Sequence, residues 1–166
     1  MSGQVGAKPR VGYYSTNQNT KSLNTMVFET ILVGDVYSRS IVVTENSSVY
    51  DGIVTLFIED VGTIFVVSEN NILEGAISRK DLLKAAMGSK NSNEIPVSII
   101  MTRMPNIILT TPEESVLTAA QKLLQHQIDA LPVVKIIKVG DQTTFEVIGR
   151  FTKTNITRLF VQLAEK

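Results

Sequence analysis

The feature that most constrains this chain is an internal repeat. Residues 61–67 align with 128–134, 67 positions later, and residues 75–81 align with 149–155, 74 positions later. The two spacings differ because of extra residues in the polar stretch 138–144, where a longer hairpin loop costs little. Recurrence over this length indicates two copies of one supersecondary unit.

Each copy has the apolar periodicity of a strand, a helix, two strands and a second helix. In the first copy the predicted strands are 41–43, 64–67 and 72–77, and the predicted helices are 48–59 and 79–87. In the second copy the strands are 107–109, 131–139 and 145–151, and the helices are the segment after Thr111 and 153–164. The run Thr111-Pro112-Glu113-Glu114 offers an N-cap, a proline at the first helical position and a reciprocal glutamate.

Neither copy has a sheet large enough to bury its own apolar face. We therefore expect an α+β fold in which two β-α-β-β-α units pack against each other as one pseudo-symmetric body. Gly, Ser, Asn, Gln and Thr dominate residues 1–22, and apolar residues recur at helical spacing from Leu23 to Ile31. The expected domains are a linker or extended arm over 1–22, the first repeat with a lead-in helix over 23–95, and the second repeat over 96–166.

The composition limits the function classes. Sixteen basic and sixteen acidic residues balance, so no global field attracts nucleic acid or an anionic membrane. Cysteine is absent, which leaves no disulfide and no thiolate metal site. No signal peptide and no apolar run of about 18 residues is present, so we expect a cytoplasmic protein without membrane contact.

The repeated pattern resembles a known family. A leading apolar strand, an apolar segment ending in Val-Val, and a glycine strand that runs into Ser/Thr-x-x-Asp/Asn at a helix start are similar to the CBS repeat. The resemblance covers about residues 36–164 and implies a Bateman module, the pseudo-symmetric pair of CBS repeats. It also implies a homodimer through the CBS modules and an adenine nucleotide (ATP, ADP or AMP) as regulatory ligand, with no catalytic cofactor.

Shorter strings resemble one branch of that family, the CcpN-type transcription repressors that control gluconeogenic genes in Gram-positive bacteria. They stand at 9–14, 59–63, 78–83, 100–106 and 147–150. In that branch a winged-helix DNA-binding domain precedes the module. Because the chain begins at Met1-Ser2-Gly3 with the linker-like segment, we expect it to contact DNA only through a missing N-terminal domain of that kind.

The resemblance assigns a first cleft to the helix start at Ser78-Arg79-Lys80-Asp81. It gives phosphate or ribose contacts to Ser78 and Lys80, and the paired ribose hydroxyls to the Asp81 carboxylate. The remaining residues of this cleft come from the second repeat: Arg103, Asn106, Ile108, Ile128, Asp129, Ala130 and Pro132. Ser-x-x-Asp is also an ordinary N-capping arrangement, and this alternative stays open.

The resemblance assigns a mirror-image second cleft to the other helix start. Its residues are Thr152, Thr154 and Asn155 with Tyr37, Ser40, Val42, Val61, Gly62 and Thr63. Asn155 replaces the usual aspartate, and a neutral amide accepts a ribose hydroxyl less strongly than a carboxylate does. We therefore expect the first cleft to bind nucleotide more tightly.

These observations favour a nucleotide-sensing regulatory module of a repressor. The alternative is a stand-alone CBS protein that binds nucleotide and inhibits an enzyme or transporter, and S-adenosylmethionine remains open as a ligand. An enzyme is disfavoured because the sequence offers no paired base and nucleophile, and His126 is the single histidine.

Overall fold

The computed structural model describes residues 21–88 and 91–166. The first repeat consists of β1 (Val42–Thr44), α2 (Val49–Glu59), β2 (Thr63–Val67), β3 (Leu73–Ser78) and α3 (Arg79–Ala86). The second repeat consists of α4 (Val116–His126), β5 (Ala130–Val139), β6 (Gln142–Thr152) and α5 (Lys153–Ala164). The helix α1 (Lys21–Thr30) and the short strand β4 (Thr102–Arg103) precede the two repeats. A linker was predicted for residues 1–22. Residues 1–20 lie outside the described residues, and residues 21 and 22 belong to α1.

Two sheets form the body of the described part of the chain. In the first sheet β1 runs parallel to β2, β2 runs antiparallel to β3, and β3 runs antiparallel to β4. The second sheet is the antiparallel pair of β5 and β6. The extra residues of the second repeat form longer strands rather than the predicted loop, because pairing continues to Val139 and Gln142. Gly140 closes this hairpin with a positive φ of 59°, which glycine adopts without strain.

Two local predictions for the second repeat are wrong. The strand expected at 107–109 is absent from the second sheet, and Thr110 alone makes a parallel bridge to Val133. Helix α4 is capped by Ser115, whose hydroxyl accepts from the Thr118 N–H at 3.1 Å, and not by Thr111. The Glu114 carboxylate contacts the Thr110 hydroxyl and the Lys122 ammonium instead of closing a capping box.

The segments that precede the two repeats exchange partners. Val33 and Val97 lie 64 positions apart in equivalent 3-10 turns, and both are fully buried. Val33 packs in the core of the second repeat, whereas Val97 packs in the core of the first. Backbone pairing follows the same exchange, since Ser38 bridges β6 and Thr102 pairs with β3. Each repeat is therefore completed by the segment that precedes the other.

Two glycines make this exchange possible. A Cβ on Gly75 would lie 2.3 Å from the Met101 sulfur, and a Cβ on Gly149 would lie 2.2 Å from the Tyr37 ring. Both distances are far below van der Waals contact, so only glycine lets the exchanged segment approach the strand this closely. The two glycines are 74 positions apart, as the repeat predicts.

Within residues 21–88 and 91–166, three apolar clusters stabilise the fold. One fills each repeat, and the third joins the two sheets. The buried residues of the third cluster are Phe65, Val67, Leu73, Ile107, Val134 and Val147. Because this cluster draws on both repeats, the two units share a continuous core, and the clefts between them have a fixed geometry.

Candidate functional site

The first cleft is built around the N-terminus of α3. The Asp81 Oδ2 atom accepts from the Ser78 N–H at 3.0 Å and from the Ser78 hydroxyl at 2.7 Å. The Ser78 Oγ atom accepts in turn from the Asp81 N–H at 3.2 Å. The predicted capping arrangement is thus present. Among the described residues none donates to the other carboxylate oxygen, Oδ1, so the cap uses only half of the Asp81 carboxylate.

A cavity of about 240 Å³ opens beside this carboxylate. The residues predicted for the first cleft that line it are Ser78, Asp81, Asn106, Ile108, Ile128, Ala130 and Pro132. Four further lining residues escaped the sequence analysis: Phe65, Ala76, Thr102 and Ile107. Thr63, which was predicted for the second cleft, lines this cavity as well. Most of the walls are apolar, and the Asp81 carboxylate is the charged group among the residues that line the cavity.

Three residues predicted for this cleft lie elsewhere. The Arg103 side chain donates to the Ser98 carbonyl at 2.8 Å, away from the cavity. The Asp129 carboxylate pairs with the Lys153 ammonium at 2.8 Å. Lys80 lies with Asp129 in a shallow neighbouring groove. The structure therefore does not bring these three side chains to the wall of the first cleft.

The second cleft is a larger cavity of about 500 Å³. Of its predicted residues, Val61, Gly62, Thr63, Thr152 and Thr154 line it. The cavity also contains residues that were not predicted for it: Ser38, Asp60, Arg79, Asp129, Ala130, Arg150, Lys153 and Arg158. Four of these are cations and two are carboxylates, so this cleft is more polar and more basic than the first.

Four residues predicted for the second cleft are not brought to it. Tyr37 and Asn155 line a separate cavity of about 200 Å³. Val42 packs against the apolar cluster between the sheets. Ser40 is half-buried outside the cavity. The exchanged lead-in segment explains the position of Tyr37, because it holds this side chain over Gly149.

The Asn155 side chain, which was predicted to contact the ligand, forms hydrogen bonds with protein groups. This side chain is only 2% exposed. The Oδ1 atom accepts from the Thr152 N–H and hydroxyl at 2.8 and 2.9 Å, and the Nδ2 atom donates to the Val36 carbonyl and the Ser38 hydroxyl at 2.8 and 2.9 Å. These four bonds engage both polar atoms of the amide with protein groups. The amide fastens α5 to the segment that precedes the first repeat.

The repeat symmetry relates the two clefts residue by residue. Equivalent lining residues are Val61 and Ile128, Thr63 and Ala130, Ser78 and Thr152, and Ser38 and Thr102. The same offset of 74 places Arg150 of the second cleft where Ala76 lies in the first. The alignment at 75–81 and 149–155 already contained this difference, and it could have been recognised there.

Arg150 carries a charge into a half-buried position. Its Nε atom is buried and has no hydrogen-bond partner among the described residues. Burial lowers the pKa of the Arg150 guanidinium, the neighbouring charge of Arg39 lowers this pKa further, and Glu59 raises it. Because a guanidinium is among the most basic groups in proteins, Arg150 remains charged at neutral pH.

Other features of the described ranges are plain. No group of three His, Cys, Asp or Glu side chains in residues 21–88 and 91–166 could hold a metal ion. His126 ends α4 at an exposed position. Within the same ranges, every helix is too short or too polar to cross a membrane.

The two repeats each match a known protein family. Residues 33–88 and 97–162 each match the model of the CBS domain, so the chain belongs to the CBS-domain family as a tandem pair. This confirms the predicted fold class. The chain is also 48% identical over 165 residues to the transcriptional repressor CcpN of Bacillus subtilis (strain 168). The match covers 99% of this chain and 76% of that protein, and it places the chain with the CcpN-type repressors.

Solved CBS pairs share the architecture. The CBS domain pair of protein MJ0100, in complex with 5′-methylthioadenosine and S-adenosyl-L-methionine, has a TM-score of 0.64 and 30% identity. It matches 79% of this chain and 96% of its own. CBSX2 of Arabidopsis thaliana in complex with AMP has a TM-score of 0.64 and 26% identity, and it matches 80% of this chain and 98% of its own. The chain is therefore a regulatory CBS module of the repressor type.

Proposed function

We propose that this chain senses adenine nucleotides for a bacterial repressor of gluconeogenic genes, through the first cleft. The observation that carries the proposal is the Asp81 Oδ1 atom, to which none of the described residues donates, in the wall of a mostly apolar slot. A carboxylate oxygen accepts hydrogen bonds from vicinal hydroxyls, and apolar walls suit the two faces of a purine.

The size of the first cleft supports a nucleoside rather than a whole nucleotide. Its volume of about 240 Å³ lies below the ~300–1,000 Å³ typical of pockets for drug-sized ligands. The phosphates of ATP or ADP would therefore extend out of it. The ligands named for the MJ0100 pair and for CBSX2 agree with this, because AMP, 5′-methylthioadenosine and S-adenosylmethionine all contain adenosine.

The regulatory mechanism would be a population shift. ATP, ADP and AMP differ only in phosphate number, so each can favour a different arrangement of the module only through contacts made by the phosphates. A DNA-binding winged-helix domain outside this chain would respond to that arrangement. The coupling is reciprocal, so operator DNA bound by the whole repressor would change its nucleotide affinity by the same factor.

The module would act as a homodimer. Helices α2 and α3 expose the large apolar residues Phe57, Ile58, Leu83 and Met87, and the equivalent helices α4 and α5 expose Leu124 and Phe160. Phe57 and Leu83 line one groove, and exposed apolar surface of this kind marks a protein contact. Because the internal duplication gives the chain two similar helical faces, a second copy related by a twofold axis can cover both at once.

Calorimetry with adenosine, AMP, ADP, ATP and S-adenosylmethionine tests the proposal. We expect adenosine and the three nucleotides to compete for one site. We expect Asp81→Ala to lower the affinity for each of these ligands. If adenosine and AMP fail to bind at millimolar concentration, the first cleft is not a nucleoside site. Tighter binding of S-adenosylmethionine than of any nucleotide would reassign the ligand while keeping the cleft.

A further inference from the structure

We infer that the second cleft is a phosphoryl-binding pocket and not a second nucleoside site. In the first cleft the slot beside the Asp81 carboxylate is kept open by the small side chain of Ala76. In the second cleft Arg150 occupies the equivalent position. The group equivalent to Asp81 is Asn155, and its amide is fully bonded to the protein. The second cleft has thus lost both features that suit a nucleoside.

The charges of the second cleft favour an anion. Arg79, Arg150, Lys153 and Arg158 line it, against the carboxylates of Asp60 and Asp129. Lys153 and Asp129 pair with each other. Within the described residues, neither Arg150 nor Arg158 forms an ion pair, and the buried Arg150 Nε has no acceptor. A half-buried guanidinium without an acceptor is costly, and a phosphate oxygen would supply one.

The second cleft also has room for more than one phosphate. Its volume of about 500 Å³ is twice that of the first cleft. The N-terminus of α5 adds the Thr152 and Thr154 side chains at its wall, and a helix N-terminus favours negative charge. These groups complement the guanidinium groups, which bind phosphate through paired N–H donors.

The two clefts adjoin. Thr63 and Ala130 line both cavities, so a ligand can extend from one to the other at these residues. The phosphoryl groups could belong to the tail of a nucleotide whose adenosine lies in the first cleft, an origin that rests on the proposed function. They could also belong to a separate small phosphate compound. The chemistry of the pocket is the same for both origins.

Calorimetry with sodium tripolyphosphate, which has no nucleoside, tests the pocket directly on the whole chain. We expect it to bind, and we expect Arg150→Gln and Arg158→Gln each to weaken it by about tenfold or more, because each removes charge-assisted hydrogen bonds. Arg158 is exposed on α5, so its replacement should leave folding intact even if Arg150→Gln does not. The charge-matched control is Lys138→Gln on the distant hairpin, which should leave the affinity unchanged.

Failure of tripolyphosphate to bind, or binding equally weakened by Lys138→Gln, overturns the pocket. Adenosine separates this result from the proposed function, since adenosine should bind to Arg158→Gln as tightly as to the parent and should not displace tripolyphosphate. Displacement of tripolyphosphate by adenosine would also overturn the pocket. If ATP displaces tripolyphosphate and loses more affinity than AMP on Arg158→Gln, the phosphates are a nucleotide tail. If ATP and tripolyphosphate bind at the same time, the phosphoryl groups that the second cleft binds belong to a separate compound.

Discussion

The Asn155 Nδ2 atom donates to the main-chain carbonyl of Val36 at 2.8 Å, across a sequence separation of 119 residues. This bond joins the last helix of the chain to the segment that precedes the first repeat. Asp81, the equivalent residue of the first repeat, bonds only to Ser78 among the described residues, so none of them donates to its Oδ1 atom. The same position in two copies of one unit therefore has a structural task in one copy and a proposed ligand task in the other.

Asn155→Ala should destabilise the protein without weakening adenosine binding. The substitution leaves the Val36 carbonyl without its donor, which costs about 1–3 kcal/mol and lowers the melting temperature by several degrees. Thermal unfolding and calorimetry with adenosine measure the two effects. The control is Asn93→Ala, at an exposed position, which should change stability by less than about 0.5 kcal/mol. A stable Asn155→Ala protein with weakened adenosine binding would contradict the structural role.

Asp81→Ala should reduce both stability and nucleotide affinity. Loss of the cap lowers the free energy of unfolding by about 1 kcal/mol. Loss of the hydrogen bonds to the ribose hydroxyls lowers the affinity for AMP by about tenfold to a hundredfold. The matched control is Asp51→Ala, because Asp51 closes the same capping box with Ser48 at the start of α2, away from both clefts. Asp51→Ala should lower the melting temperature by a similar amount and leave AMP affinity unchanged. Equal AMP affinity in the two variants would reduce Asp81 to a capping residue.

Gly149→Ala should destabilise the protein more than Gly75→Ala. The new Cβ on residue 149 would meet the Tyr37 ring at 2.2 Å and the Ser38 main-chain oxygen at 2.7 Å, and a backbone atom cannot move aside cheaply. At residue 75 the new Cβ meets the flexible Met101 side chain. We expect a loss of about 1–3 kcal/mol or more at Gly149 in urea unfolding. Gly62→Ala, whose nearest neighbour lies at 3.6 Å, is the control, and an equal loss there would exclude the close approach as the cause.

Phe57→Ser should weaken dimerisation without lowering the stability of the monomer fold. Phe57 is 88% exposed on α2, and a large apolar residue at the centre of an interface contributes about 2 kcal/mol or more. Light scattering across micromolar concentrations should detect the shift toward the 18.2 kDa monomer. The control is Val139→Ser at the hairpin, where Val139 is 71% exposed. If Val139→Ser dissociates the dimer and Phe57→Ser does not, the interface is at the hairpin end.

Much of the fold follows from local sequence. The spacings of 67 and 74 residues predict the duplication. Apolar residues that alternate in strands and recur every three or four positions in helices predict the strands and helices of the two repeats. The capping pairs at Ser78 and Thr152 are also local, since each bond spans three residues. The exception at Thr111 is instructive, because Ser115 competes for the same helix start. The residue at which α4 begins depends on which of the two candidate caps the surrounding contacts favour. Local sequence does not predict those contacts.

What the sequence by itself determined is therefore the repeated unit, its helix starts and the chemistry gathered at Ser78 and Asp81. Only the tertiary structure decided which core each lead-in segment completes, what the Asn155 amide bonds to, and which cavity Arg150 faces. The physical reason is the sequence separation between the residues that interact. Periodicity and caps depend on residues a few positions apart, whereas the partners of Val33, Asn155 and Arg150 come from segments that only the packing of the two repeats brings together.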